Sequence, residues 1–140
     1  MTKETDRLEQ VGAAAIGSIV DMIDCYHQAE KEGTAEYEEG YPVDSDGMRE
    51  IIDQDPLEVS VKSGYHSPGD NEGAKATEYM ILLSTGGPAS RIVGDLSEYG
   101  EPENARLQVQ DWFTPWTDVN TTTEQDNKLL EYACFFYFGE

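Results

Sequence analysis

The spacing of apolar residues divides this chain into a helical beginning, an alternating middle and a helical end. Over residues 2–31, Leu8, Val11, Ala15, Ile19, Met22, Ile23 and Tyr26 recur at steps of three and four, the period of one helix face. Thr2 and Thr5 are candidate N-caps, with Glu4 and Asp6 at the favourable, positive end of the helix. Gly33 is the expected stop. Gly12 and Gly17 interrupt the helix, each weakening it by about 1 kcal/mol relative to alanine, which suits close approach by another element. Residues 30–41 (EKEGTAEYEEGY) have no apolar period and hold two glycines, which predicts a loop or a short frayed helix. Asp44 or Ser45 then caps a short helix carrying Met48, Ile51 and Ile52. Pro56 ends it, because the residue before a proline is pushed out of helical geometry.

From residue 57 the period shortens to two. LEVSVKS (57–63) alternates and predicts a half-buried strand. Residues 64–76 are polar and glycine-rich, a loop. TEYMILLS (77–84) is apolar on both faces in its middle and reads as a central strand. Thr85, Gly86, Gly87 and Pro88 form a strong turn signal before a third strand over 89–96. SEYGEPEN (97–104) is the next turn, and ARLQVQDW (105–112) the fourth strand. Thr121 and Glu124 suit a capping box at the head of a helix reaching Tyr137, with Leu129, Leu130, Ala133, Phe136 and Tyr137 as its apolar stripe. Short connections favour an antiparallel meander. The expected class is α+β: one domain over residues 1–140, with about four antiparallel strands packed against an N-terminal and a C-terminal helix.

Composition supports folding, with 38% hydrophobic residues and 8 Tyr, 4 Phe and 2 Trp, since disorder goes with few aromatics. Charge changes the picture more. The chain has 29 acids against 9 bases, a net of −20. Such a field disfavours direct binding to nucleic acid or to an anionic membrane. Basic partners, cations or life at high salt are the remaining explanations. Residues 30–58 hold eleven acids against two bases, Lys31 and Arg49, a net of −9 in 29 residues. Glu30, Glu32, Glu36, Glu38, Glu39, Asp44, Asp46, Glu50, Asp53 and Asp55 are therefore the candidate partner-binding residues. Asp95, Glu98, Glu101 and Glu103 form a possible second patch.

No catalytic pattern stands beside the charge. His27 follows Cys25 by two residues, and on a helix such residues do not face each other. Two cysteines without paired histidines fit no zinc pattern. Asp44, Asp46 and Gly47 resemble part of a calcium loop, but Pro42 falls where the first carboxylate is needed, Asp53 replaces the bidentate Glu and Arg49 takes an apolar position. The glycines before Arg91 lead into a strand, whereas a phosphate loop leads into a helix. Trp112, Phe113 and Trp116 lie between Asp111 and Asp118, not beside a basic groove. Core packing is the favoured reading of these aromatics and an interface hot spot the other. Cys25 and Cys134 are expected as buried free thiols, a disulfide being the alternative. Without a leader pattern or an apolar run near 18 residues, the chain reads as cytoplasmic. No catalytic residue, metal or cofactor is expected, and the oligomeric state is open.

At one charge per roughly 1.7 Å of duplex axis, twenty charges correspond to roughly 34 Å of DNA. A small domain of that length can present carboxylates at near-phosphate spacing to a basic groove. This pattern resembles phage- and plasmid-borne inhibitors of host defence, among them anti-CRISPR and anti-restriction proteins, several of which look like DNA. EYMILLSTGGPASRIVGDL with QDWFTPW, residues 78–116, also looks like a segment of uncharacterised phage and prophage proteins. The first resemblance implies a non-enzymatic inhibitor, acting inside a bacterial host cell. Its partner would be a basic nucleic-acid-binding protein or ribonucleoprotein complex. The alternatives are an acidic interaction domain without mimicry, a small enzyme, and high-salt adaptation.

Overall fold

A computed structural model describes residues 2–38, 41–65, 67–70, 75–85, 88–111, 114–136 and 138, the side chains of 2–6, 38 and 41 excepted. The chain begins with α1 (Thr2–Glu32). Of the expected stripe, Ile19, Met22, Ile23 and Tyr26 are buried, joined by Ile16 and Ala29, while Leu8, Val11 and Ala15 toward the N-terminus are only half-buried. Gly33 closes it at φ 92°, its N–H donating to the Ala29 carbonyl at 2.9 Å. Of the two helical glycines, Gly12 meets another element: an added Cβ would lie 3.0 Å from Val119 Cγ2, whereas Gly17 faces open space.

The loop or frayed helix expected over residues 30–41 is strand at 35–38 and 41. After α1, β1 (Ala35–Glu38) and β2 (Tyr41–Val43) pair as an antiparallel hairpin with an irregularity between Glu36 and Glu38. Ala35 is buried and Tyr37 packs against the core. Two inward residues two apart are enough to dock a short strand on α1, and the intervening glutamates mask that alternation. α2 (Ser45–Gln54) follows, capped by Asp44, whose Oδ1 accepts from the Gly47 N–H at 2.8 Å. Met48 and Ile52 are its buried residues.

The main sheet is antiparallel, β3 (Glu58–Ser63), β4 (Ala76–Ser84), β5 (Ala89–Asp95), β6 (Arg106–Gln110) and β7 (Thr117–Asp118) in sequential order. The expected four strands are present, and the two-residue β7 adds a fifth. One face carries Tyr79, Ile81, Ile92, Leu107 and Val109, all buried, with α1 packed across β5 and β6. β3 departs from its expected half-burial. Val59 and Val61 pair with Ile81 and Tyr79 and so share the inner face, yet they are 37% and 48% exposed. The helical layer stops short of this edge.

α3 (Thr123–Ala133) closes the fold and packs on α1. Its capping box is one residue later than expected. Thr122 Oγ1 accepts from the Gln125 N–H at 3.1 Å and Gln125 Oε1 accepts from the Thr122 N–H at 2.9 Å. Thr121 donates instead to Asp126. The helix ends at Ala133 and the chain turns, so that Phe138 is buried and stacks on Tyr79 with ring centroids 4.9 Å apart. Tyr137, expected in the apolar stripe, lies outside the described residues. Both cysteines are free; Cys25 is buried but Cys134 is exposed. This overturns the burial expected of Cys134, which caps the helix beyond its apolar stripe.

Candidate functional site

Because α1 packs on β1 and on α2, and α2 on β2, most of the candidate carboxylates belong to one continuous layer. Their local roles differ. Glu32 ends α1 and is exposed. Glu30 accepts a hydrogen bond from Tyr26 Oη at 2.9 Å. Asp44 is committed to the α2 cap. Asp55, the C-cap of α2, accepts from Tyr132 Oη at 2.6 Å, and burial, followed by this bond, pushes the Tyr132 phenol far above its ordinary value. Asp46, Glu50 and Asp53 are exposed, and their spacing places them on one side of α2. Glu36 is exposed on β1. Glu38 belongs to β1 by its backbone, and Glu39 lies outside the described residues.

The structure adds acids that the charge count alone does not single out. Asp21 and Asp24 of α1 line a groove of about 490 Å³ with Glu36, Tyr37 and Cys25. Helical spacing does not say which outward residues meet a later hairpin, so the sequence carries no signal for them. Asp24 accepts from Lys128 Nζ at 2.5 Å, and this bond holds the Lys128 ammonium above its ordinary value. Arg49, one of the two bases of the acidic segment, is held against α1 beside Glu30. It donates to Tyr26 Oη at 2.8 Å and its guanidinium lies 5.5 and 5.6 Å from the Tyr26 and Phe135 ring centroids.

The second patch follows β5. Asp95 is tied to Asn104 by two bonds of 3.0 Å, while Glu98, Glu101 and Glu103 are exposed. The intervening turn is built by Ser97, whose N–H donates to the Glu101 carbonyl at 2.8 Å and whose Oγ accepts from the Glu101 N–H at 3.2 Å.

The outer sheet face, away from α1, mixes both signs: Glu58, Glu78, Asp95 and Asp118 share it with bases. The register places Lys62, Arg91 and Arg106 there, three of the nine bases. Arg91 lies 4.1 Å over the half-buried Trp116 ring and donates to Gln108 Oε1 at 2.8 Å. Trp116 therefore packs on the sheet rather than in the main core; Trp112 and Phe113 lie outside the described residues, as do Gly86 and Gly87 of the turn. Asp111 is buried and pairs with Arg7 at 3.3 Å.

No nucleophile pair forms at Cys25. Its thiol is pushed above its ordinary value by burial, the direction that disfavours the thiolate form. His27 Nε2 instead meets Glu131 Oε2 at 2.5 Å. Among the described residues no group of three His, Cys, Asp or Glu is placed to hold a metal ion. Nor is any of their helices long and apolar enough to cross a membrane. No family model, curated protein or solved structure matches the chain.

Proposed function

We propose that this protein is an inhibitor that uses the carboxylates of α1, the β1–β2 hairpin and α2 to occupy the basic nucleic-acid groove of a host defence complex, in the manner of DNA-mimicking anti-CRISPR and anti-restriction proteins. It acts in the cytoplasm of a bacterial host. One observation carries the reading: Asp21, Glu36, Asp46, Glu50 and Asp53 are exposed on elements packed into one layer, while Arg49 is drawn onto the Tyr26 and Phe135 rings. Such a surface steers a basic partner toward itself and accelerates association. The resemblance to phage-borne inhibitors supports the same class of partner.

The test is competition. The chain is titrated against purified nucleic-acid-guided and restriction nucleases in the presence of labelled duplex. Stoichiometric displacement of nucleic acid is the expected result. The variant Asp21→Lys, Glu50→Lys, Asp53→Lys is expected to weaken displacement by about tenfold or more, mainly through slower association. Unaltered displacement by this folded variant removes the surface from the mechanism. Inhibition at substoichiometric amounts, leaving a covalently changed target, replaces mimicry with an enzyme.

A further inference from the structure

β3 ends the sheet, and among the described residues no strand lies on its outer side. An unpaired edge is a template for another strand unless charge, proline or a bulge blunts it. Here Pro56 and the irregularity between Lys62 and Ser63 lie at the ends of the strand, its charges Glu58 and Lys62 are of opposite sign, and apolar side chains stand between them. Leu57, Val59 and Val61 are 61%, 37% and 48% exposed, and with Tyr65 they make four of the five large exposed apolar residues among those described. We propose that β3 is the contact of a two-fold symmetric dimer, pairing antiparallel with β3 of a second copy so that two five-stranded sheets become one.

The sequence of the strand selects both the partner and the register. In a two-fold antiparallel pair about an axis normal to the sheet, opposed residues lie on the same face. The pairing must therefore centre on a residue, and three centres fall within reach. Centred on Ser60, Glu58 of each copy faces Lys62 of the other, and Val59 faces Val61, each twice by symmetry. Opposite charges and β-branched pairs directly opposed both stabilise a sheet. Centred on Val61, Lys62 faces Ser60 and Glu58 faces Gly64, so the charge pairs vanish. Centred on Val59, Lys62 faces Pro56, which has no N–H to give. Only the Ser60 centre is complementary in charge and in apolar shape.

The surrounding structure accommodates it. Lys62 already lies 3.6 Å from Glu78 with its side chain 73% exposed, so it would sit between Glu78 and the second copy's Glu58. The valine pairs form on the inner face of the edge, where Val59 and Val61 are exposed. The contact is short, which makes the association reversible and weak.

Sedimentation equilibrium of the full chain tests this, at about 150 mM salt, where the Debye length of about 8 Å screens the mutual repulsion of the acidic surfaces. The expected result is a concentration-dependent rise toward twice the chain mass. Glu58→Lys and Lys62→Glu each place like charges opposite one another and are expected to raise the dimer dissociation constant about tenfold or more. Both positions are exposed, and circular dichroism checks that folding is intact. An equimolar mixture of the two variants restores the dimer, because each contact between position 58 of one variant and position 62 of the other then opposes a lysine to a glutamate. A wild-type chain that stays monomeric, a dimer indifferent to both substitutions, or a mixture that fails to associate each overturns the proposal.

Discussion

Asp53 lies in the last turn of α2, which has no basic residue. A carboxylate there faces the negative end of the helix dipole. Charge at this position works against the fold, a cost that the proposed binding role would account for. Asp53→Lys should therefore stabilise the protein by about 0.3–1 kcal/mol while weakening its hold on a basic partner. Chemical denaturation and the competition assay read the two effects separately; a loss of stability would contradict the dipole argument. Gly94 makes the opposite case, a residue kept for the fold. An added Cβ would run into the Asn104 carbonyl oxygen and come within 2.7 Å of Tyr79 Cε1, where Tyr79 Oη donates to that same carbonyl at 2.6 Å. Backbone and a fixed ring do not yield easily, so Gly94→Ala is expected to destabilise by about 1–3 kcal/mol, seen as a lower denaturation midpoint. Titration follows from the same packing. Tyr79 and Tyr132 are raised above the ordinary 10.0, mainly by burial. Below pH 10 both are neutral folded or unfolded, and their contribution is fully present. Above it the unfolded chain releases their protons first, so it binds fewer protons than the folded chain and stability falls. The expected slope approaches about 1.4 kcal/mol per pH unit for each tyrosine, measured by urea unfolding between neutral and alkaline pH.

At the scale of elements, α2 and α3 are tied by the bond from Tyr132 Oη to the Asp55 carboxylate. Tyr132→Phe removes the donor without opening a cavity, and a loss of about 1.5–3 kcal/mol is expected for a bond to a charged group. An unchanged midpoint would mean that the Asp55 carboxylate recovers its hydration fully, as an exposed group can. Elements with an apolar stripe are legible in the sequence: α1 through Ile19, Met22, Ile23 and Tyr26, α2 through Met48 and Ile52, and the β4–β5–β6 meander through its alternation. The hairpin is not, because its inward residues, Ala35, Tyr37 and Val43 among the described ones, are too few and too widely set among glutamates to make a period. β7 is two residues long and has no period at all. Alternation in β3 marks a strand but not its burial, since coverage depends on where α1 crosses the sheet. The capping box sits one residue later than expected because Thr121 and Thr122 offer the same hydroxyl, and the pair is decided by which partner, Glu124 or Gln125, points back to the cap. For the acidic surface, composition marks the segment 30–58, but only packing separates Asp46, Glu50 and Asp53 from the structurally engaged Glu30, Asp44 and Asp55.

For the whole molecule the net charge of −20 acts on folding and on recognition with opposite sign. Compaction brings carboxylates of α1, the hairpin and α2 together, so self-repulsion is greater in the folded state than in the expanded one. Raising ionic strength from about 0.01 M to about 0.15 M shortens the Debye length from about 30 Å to about 8 Å. Repulsion across the acidic layer is then largely screened. The thermal midpoint should rise over this range and level off beyond it. Partner binding should change the other way, because the same screening removes the attraction to a basic groove. Measuring both on one salt series separates the candidate origins of the charge. Mimicry requires affinity to fall steeply while a folded domain persists at the low-salt end. Adaptation to high salt requires the domain itself to unfold there, with no basic partner whose affinity tracks the series. A chain that is folded throughout and binds its partner equally at both ends would leave the carboxylates without a role in recognition, and the inhibitor reading would fail.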